Sequence, residues 1–262
     1  MCCDPGFRAA HSRAVRSGRS RRGPIVLAAA CVLGALFACG SRAVTVNAEQ
    51  WLGEAEAAYE KVETYTAIFH KQQRVGGELL REETIALKFR KPASLYLKWI
   101  KEPYQGSELV FEAGRNAGRV RAHRGGMLRF VTRNLEPKDP ALMAGNLRPV
   151  TSVGIGYLLQ EVGSTIRRAA RTGDLRFSDL GEESVYGRAT RILEVAVPQD
   201  RGWDYDECRF VINQDRDSRI LLRIRVYDRD GLLIENYGYE NLQLNAPLGD
   251  ADFDPRNPEY HF

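Results

Sequence analysis

Cysteine is scarce in this chain, and its few cysteines suit neither a disulfide framework nor a metal site. Of the five Cys among 262 residues, Cys2, Cys3 and Cys31 lie in an Arg-rich, apolar leader. That leaves Cys39 and Cys208, and the body has no C-x-x-C spacing. Catalytic signatures are absent as well. There is no G-x-S-x-G elbow, no G-x-x-x-x-G-K phosphate loop and no G-x-G-x-x-G fingerprint. The four His (His11, His70, His123, His261) are scattered, with no i, i+4 pair. Asp250, Asp252 and Asp254 imitate a calcium loop, but Pro255 stands where the loop needs Gly and His261 where it needs Glu. Asn213, Asp215 and Asp217 fail in the same way. The sequence therefore names no reaction, no cofactor and no metal, and a non-enzymatic protein is expected. His70 and His123 read as solvated strand-face residues, Glu82-Glu83 and Glu182-Glu183 as solvated turn or strand-end charges, and Cys208 as a small buried apolar residue.

Excess charge is also lacking once the leader is set aside. The formal net charge is +4 from 38 Lys+Arg and 34 Asp+Glu. Six of those Arg and one Asp fall within residues 1–38, so the rest carries 32 basic and 33 acidic residues. A nucleic-acid binder held by counterion release is excluded on that balance. The longest apolar run, Pro24 to Ala38, has fifteen residues, short of the roughly 20 of a membrane-spanning helix.

Basic residues, then an apolar run, then small residues make residues 1–38 a signal peptide. Leu36-Phe37-Ala38-Cys39 resembles a bacterial lipobox, which implies cleavage before Cys39 and acylation of that Cys as a lipid anchor. Simple secretion with a cut after Ala43 or Ala48 is the alternative. Residues 39–50 then form a short tether and 51–262 one domain. The expected location is the cell envelope: an outer-membrane lipoprotein facing the periplasm, since Gly40 is not an acid that retains lipoproteins at the inner membrane. A soluble periplasmic or secreted protein is the alternative.

Within the body, Asn47 to Gln50 is a capping-box pattern. It is followed by Trp51, Leu52, Ala55, Tyr59 and Val62 at helical spacing, which predicts a helix over 48–63. The period then becomes two. Ile85, Leu87, Phe89; Leu95, Leu97, Trp99; Leu109, Phe111; and Val120, Ala122 alternate with polar residues, as half-buried antiparallel strands do. Asn134 to Thr151 breaks that rhythm. A second helix carries Ile155, Leu158, Leu159, Val162 and Ile166, and Gly154 and Gly156 weaken its start. Strands resume over 189–197, 208–212, 220–227 and 232–243, the last two joined by the turn Asp228-Arg229-Asp230-Gly231. The tail from Asp250 reads as irregular. Many antiparallel strands with two helical segments make an α+β fold. A sheet of about nine strands curls, giving a half-open barrel with the helices on its concave side. Leu87, Phe89, Leu97, Trp99, Leu109 and Phe111 would then stack into one apolar wall. Such a wall is either covered by the helices as core or left partly open as a cleft for acyl chains, with the Gly-started helix as movable cover.

The stretch Leu87 to Pro92, Tyr96 to Trp99 and Gly106 to Phe111 resembles a bacterial family known as domain of unknown function 1571. The likeness continues through Gly118 to His123, Leu135 to Ile155, Phe253-Asp254-Pro255 and Asn257 to Tyr260, and so spans about residues 51–262. The family often has a His before the Pro of its middle motif, where this chain has Arg148-Pro149. That family brings no activity or catalytic residues with it. In strand rhythm and leader type the chain is also similar to LolA/LolB-type lipoprotein carriers and outer-membrane lipoprotein-sorting proteins. That similarity implies a half-open barrel holding acyl chains in an apolar cavity, a fold that also hosts at least one biosynthetic enzyme. Three functions stay open: a membrane-anchored binder of lipid or lipoprotein acyl chains, an envelope scaffold with a filled barrel, and an enzyme acting on a hydrophobic small molecule or lipid.

Overall fold

The computed structural model describes residues 47–197 and 207–262; the leader, Cys39 and most of the tether lie outside the described residues. Residues 44–262 form one compact unit. Every residue of its three apolar clusters falls between Ala48 and Phe262. Among the described residues, the body is thus a compact unit with an apolar core of its own.

Helix α1 (Ala48–Glu60) starts where Asn47 accepts the Glu49 N–H, and buries Trp51, Leu52 and Ala55. It leads into β1 (Thr64–Val75), which turns back through the short β2 (Glu78–Leu79). Next come β3 (Glu83–Arg90), β4 (Ser94–Trp99), β5 (Glu108–Glu112), β6 (Val120–His123) and β7 (Arg133–Leu135). A one-turn helix α2 (Pro140–Met143) and the long α3 (Ile155–Thr172) interrupt the sheet. It then continues as β8 (Arg176–Val185), β9 (Arg188–Ala196), β10 (Glu207–Asp215), β11 (Leu221–Asp228) and β12 (Leu233–Leu244).

All pairings are antiparallel, in the order β7-β6-β5-β4-β3-β1-β12-β11-β10-β9-β8, with β2 beside β1. The path has two free ends, so the sheet is a half-open curved surface rather than a closed barrel. Two consecutive meanders meet at the β1–β12 seam. There Ala67 faces two residues of β12, with Asn241 at φ +54°, a bulge that bends the sheet at its middle. The concave face carries the two long helices. This is the α+β half-barrel that the alternating pattern anticipates, with twelve strands and three helices in place of about nine and two.

Two strands escape a reading by periodicity. In β1, inward Tyr65, Ala67 and Phe69 are followed at the same parity by buried Lys71 and Gln73, so the apolar alternation stops halfway along the central strand. In β8 nearly every residue is exposed, as befits an edge strand with little to bury.

Several residues read as solvated are buried or, in the case of His70, half-buried. His123 is covered, its ring edge-on to Phe262. His70 stacks on Tyr186 between Glu82 and Glu240. Glu83 is buried against Lys71. The tail is irregular, as expected, yet it is a packed strap: Tyr260 stacks on Tyr96 at 3.8 Å, and Phe253 packs with Val110 on the convex face. Cys208 packs with Ala169 and Val197.

The start of α3 also departs from expectation. Gly154 takes φ +128°, and a Cβ there would stand 3.0 Å from both Phe89 and the Tyr65 hydroxyl. The Tyr65 hydroxyl accepts the Ile155 N–H at 3.1 Å. A Cβ on Gly156 would stand 2.6 Å from the Tyr59 ring. These glycines permit close approach, and the helix they open packs its first turn against the core.

Candidate functional site

Alternation along neighbouring strands places the inward side chains in rows across the sheet. Leu87 pairs with Leu97, and Leu97 with Leu109. Phe89 pairs with Leu95, Leu95 with Phe111, and Ile85 with Trp99. All six wall residues thus lie on one concave surface, but they divide. Leu97, Trp99 and Leu109 line a cavity of about 450 Å³. Leu87, Phe89 and Phe111 are core: Phe89 stacks on Tyr65 at 4.8 Å and presses on Gly154.

Among the described residues, the lining comes from β1, β3 to β7, β12, the β4–β5 loop, the first turn of α3 and the chain between β6 and α3, and none of it from α1 or β8 to β11. Helix length explains the division. At 18 residues, α3 is roughly 27 Å long, about the five inter-strand spacings of some 4.8 Å that separate β3 from β9. It starts over Tyr65 and Phe89 and ends beside Val197 and Cys208. Strands β4 to β6 lie beyond its reach. Residues 124–153, which contain β7, α2 and two 3-10 turns, close over them.

The cavity is amphipathic. One end is walled by Ile85, Leu97, Leu109, Leu135, Leu142 and Leu158. At the other end β1 and β3 keep their inward parity but change chemistry, with Lys71 and Gln73 beyond Phe69 and Glu83 before Ile85. Glu83 accepts from the Lys71 ammonium and, at 2.6 Å, from the Trp99 indole N–H. Gln73 donates to the Tyr237 hydroxyl, which donates to Glu235 at 3.0 Å. Burial, then the Glu235 charge, pushes the Tyr237 phenol well above its usual value, so it remains a donor. Arg148 crosses to this network from the covering segment. Its Nε donates to Glu235 at 2.9 Å and its Nη1 to the Tyr157 hydroxyl at 2.6 Å. The Leu147 N–H donates to Gln73 at 3.2 Å. Arg148 is thus a pin that ties the cover to the sheet.

The sequence reading missed this polar end. The signal was available, because Lys71 and Gln73 continue the parity of Tyr65, Ala67 and Phe69, and Glu83 that of Ile85, Leu87 and Phe89. Among the described residues no group of three His, Cys, Asp or Glu is placed to hold a metal ion, and no helix is long and apolar enough to cross a membrane. A cavity of this size and lining suits a small amphiphile, held by apolar contact along its body and oriented by a few polar groups.

Among solved structures, the chain is similar to MucB, at 20% identity over 79% of this chain with a TM-score of 0.47. It spans about 62% of the length of MucB. It is similar to the lipoprotein LppX of Mycobacterium tuberculosis, at 14% identity, covering 79% of this chain and 100% of that one, with a TM-score of 0.48. A LolA superfamily protein of Nitrosomonas europaea matches at 14% identity over 80% of this chain and 98% of that one, with a TM-score of 0.34. No protein of curated function matches the chain. Residues 62–262 match the model of a family described as "Protein of unknown function (DUF1571)", the family to which the strand, middle and tail motifs point, and the chain belongs to it.

Proposed function

We propose that this protein is a non-enzymatic lipoprotein of the cell envelope that binds lipid or lipoprotein acyl chains in its concave cavity, anchored to the outer membrane through Cys39. The observation that carries the reading is the cavity of about 450 Å³, left where the helices end short of the sheet. Leu97, Trp99 and Leu109 form its sheet wall. Each methylene removed from water contributes roughly 0.8 kcal/mol, so an acyl chain of modest length gains enough to offset the entropy of ordering it. Lys71, Glu83 and Trp99 would orient the polar end of the amphiphile. The Arg-rich leader, its apolar run and the lipobox-like Leu36 to Cys39 support export and anchoring. A filled-barrel scaffold would have no such hollow.

The body from Val44 onward, purified and extracted for mass spectrometry, is expected to release lipid and to take up a fluorescent fatty acid. Leu109→Trp, which fills the hollow from its wall, is expected to lose at least tenfold in uptake while keeping the wild-type circular dichroism spectrum. A body that carries no lipid and takes up no fatty acid refutes the reading. For the anchor, Cys39→Ala is expected to move the protein from the membrane to the soluble envelope fraction, and an unchanged distribution would refute it.

A further inference from the structure

The chain between β6 and β7 turns its apolar side chains outward. Met127 is 96% exposed, Phe130 80%, Val131 55% and Leu128 54%, four large apolar residues within five positions at the tip of one loop. Isolated exposed apolar residues need no explanation, but a contiguous group marks an interaction surface. The loop is held in place rather than loosely hung. A Cβ on Gly125 would fall 1.9 Å from the Gln105 carbonyl oxygen, and the Gly125 N–H donates to the Ser107 hydroxyl at 2.9 Å. The tip thus stands out from a fixed base, with Leu128 and Val131 at the mouth of the cavity.

Charge identifies what the tip meets. Residues 113–135 contain six Arg (Arg115, Arg119, Arg121, Arg124, Arg129, Arg133) and no Asp or Glu, in a body that carries 32 basic and 33 acidic residues in all. Arg115 and Arg119 are paired with Glu112 and Glu136. Arg124, Arg129 and Arg133 are exposed, and among the described residues no carboxylate lies within ion-pair distance of them. Apolar residues at the very tip, ringed by guanidinium groups free of ion pairs among the described residues, with Arg129 over the Phe130 ring at 4.6 Å, match the depth profile of a bilayer surface, with hydrocarbon below and anionic phosphates around it.

We propose that residues 124–133 dock the body onto an anionic phospholipid bilayer, with Met127 and Phe130 entering the interface and Arg124, Arg129 and Arg133 meeting lipid phosphates. This goes beyond the cavity reading and gives it an entrance, because the docked tip sets the cavity mouth against the membrane. Each basic side chain near an anionic leaflet is worth roughly fivefold in affinity, so the three together amount to about a hundredfold.

The test uses the body from Val44 onward, which lacks the leader, with vesicles of phosphatidylcholine alone or of an equal mixture of phosphatidylcholine and phosphatidylglycerol. Binding to the mixed vesicles is expected to exceed binding to the neutral ones by more than about tenfold and to weaken as salt shortens the screening length. Replacing Arg124, Arg129 and Arg133 together by Gln should remove about two decades of that affinity. Phe130→Trp should report insertion by a blue shift and by quenching from brominated acyl chains. Met127→Ser with Phe130→Ser should weaken binding at least tenfold with an unchanged circular dichroism spectrum. Equal binding to both vesicle types, a Phe130→Trp indole that stays unshifted, or a dimer dissolved by Met127→Ser with Phe130→Ser would each overturn the proposal, the last by assigning the tip to a second copy. Leu109→Trp separates the two readings: it should abolish fatty-acid uptake and leave vesicle binding intact.

Discussion

The two halves of the sheet present the same kind of inner face and meet different fates. On the β9–β11 side, Leu193 pairs with Ile212, Ile212 with Ile224, Val195 with Phe210 and Phe210 with Val226. These rows belong to the buried core that Trp51, Leu52, Val162 and Ile166 complete. On the β3–β6 side, the row Leu87, Leu97, Leu109 and Ala122 is equally apolar, yet it ends in a hollow. The difference is one of reach. Helix α3 is long enough to cover five strand spacings, and residues 124–153 cover the rest. An apolar strand face is therefore ambiguous until the length and placement of its cover are known.

The largest expected effect tests whether the halves differ in packing. Ile212→Ala opens a void in the filled half and is expected to cost about 2–5 kcal/mol in denaturant unfolding. Leu109→Ala only enlarges a hollow that already exists, so it loses mainly the transfer term, about 1–2 kcal/mol. Equal losses at the two sites would break the comparison.

A smaller effect sharpens it at the cover. Arg148→Met leaves Glu235 buried without its guanidinium partner and is expected to cost about 1–3 kcal/mol. Amide hydrogen exchange should accelerate over residues 144–153, while α3, clamped through Gly154, keeps its protection. Equal acceleration in α3 would show that cover and helix move as one body.

The smallest effect lies at Glu108, a residue of the cavity lining whose carboxylate is held by the tail strap. Burial alone would raise the Glu108 carboxyl, but hydrogen bonds from His261 and Lys98 outweigh it and hold the group below its usual range. A carboxyl with a lowered folded value stabilises the protein above its unfolded value, near pH ~4.3. That contribution disappears as the pH falls through the folded value. Glu108→Gln is expected to flatten this acid limb of the stability profile. An acid limb identical to the wild type would exclude Glu108 as its source.

Much of the architecture was legible because burial on one face imposes a period. Ile85 to Phe89, Leu95 to Trp99 and Leu109 to Phe111 alternate cleanly, and the structure makes strands of them. The Asp228 to Gly231 turn joins its two strands as read. Legibility failed where burial and polarity coincide. Lys71, Gln73 and Glu83 point inward but look like surface residues, so β1 lost half its signal and the polar end of the cavity went unseen. It failed again where glycine has two uses. Gly154 and Gly156 look like breakers in a one-dimensional pattern, and only the nearness of Tyr65, Phe89 and Tyr59 makes them contacts.

By itself the sequence determined the antiparallel α+β class and the apolar wall, because side-chain periodicity is set by local backbone geometry. It also carried the family, in motifs spread from strand to tail. Only the tertiary structure decided that β12 closes beside β1, that the wall divides into core and cavity, and that Arg148 pins the cover. Those outcomes depend on distances between residues far apart in the chain, which no local pattern encodes.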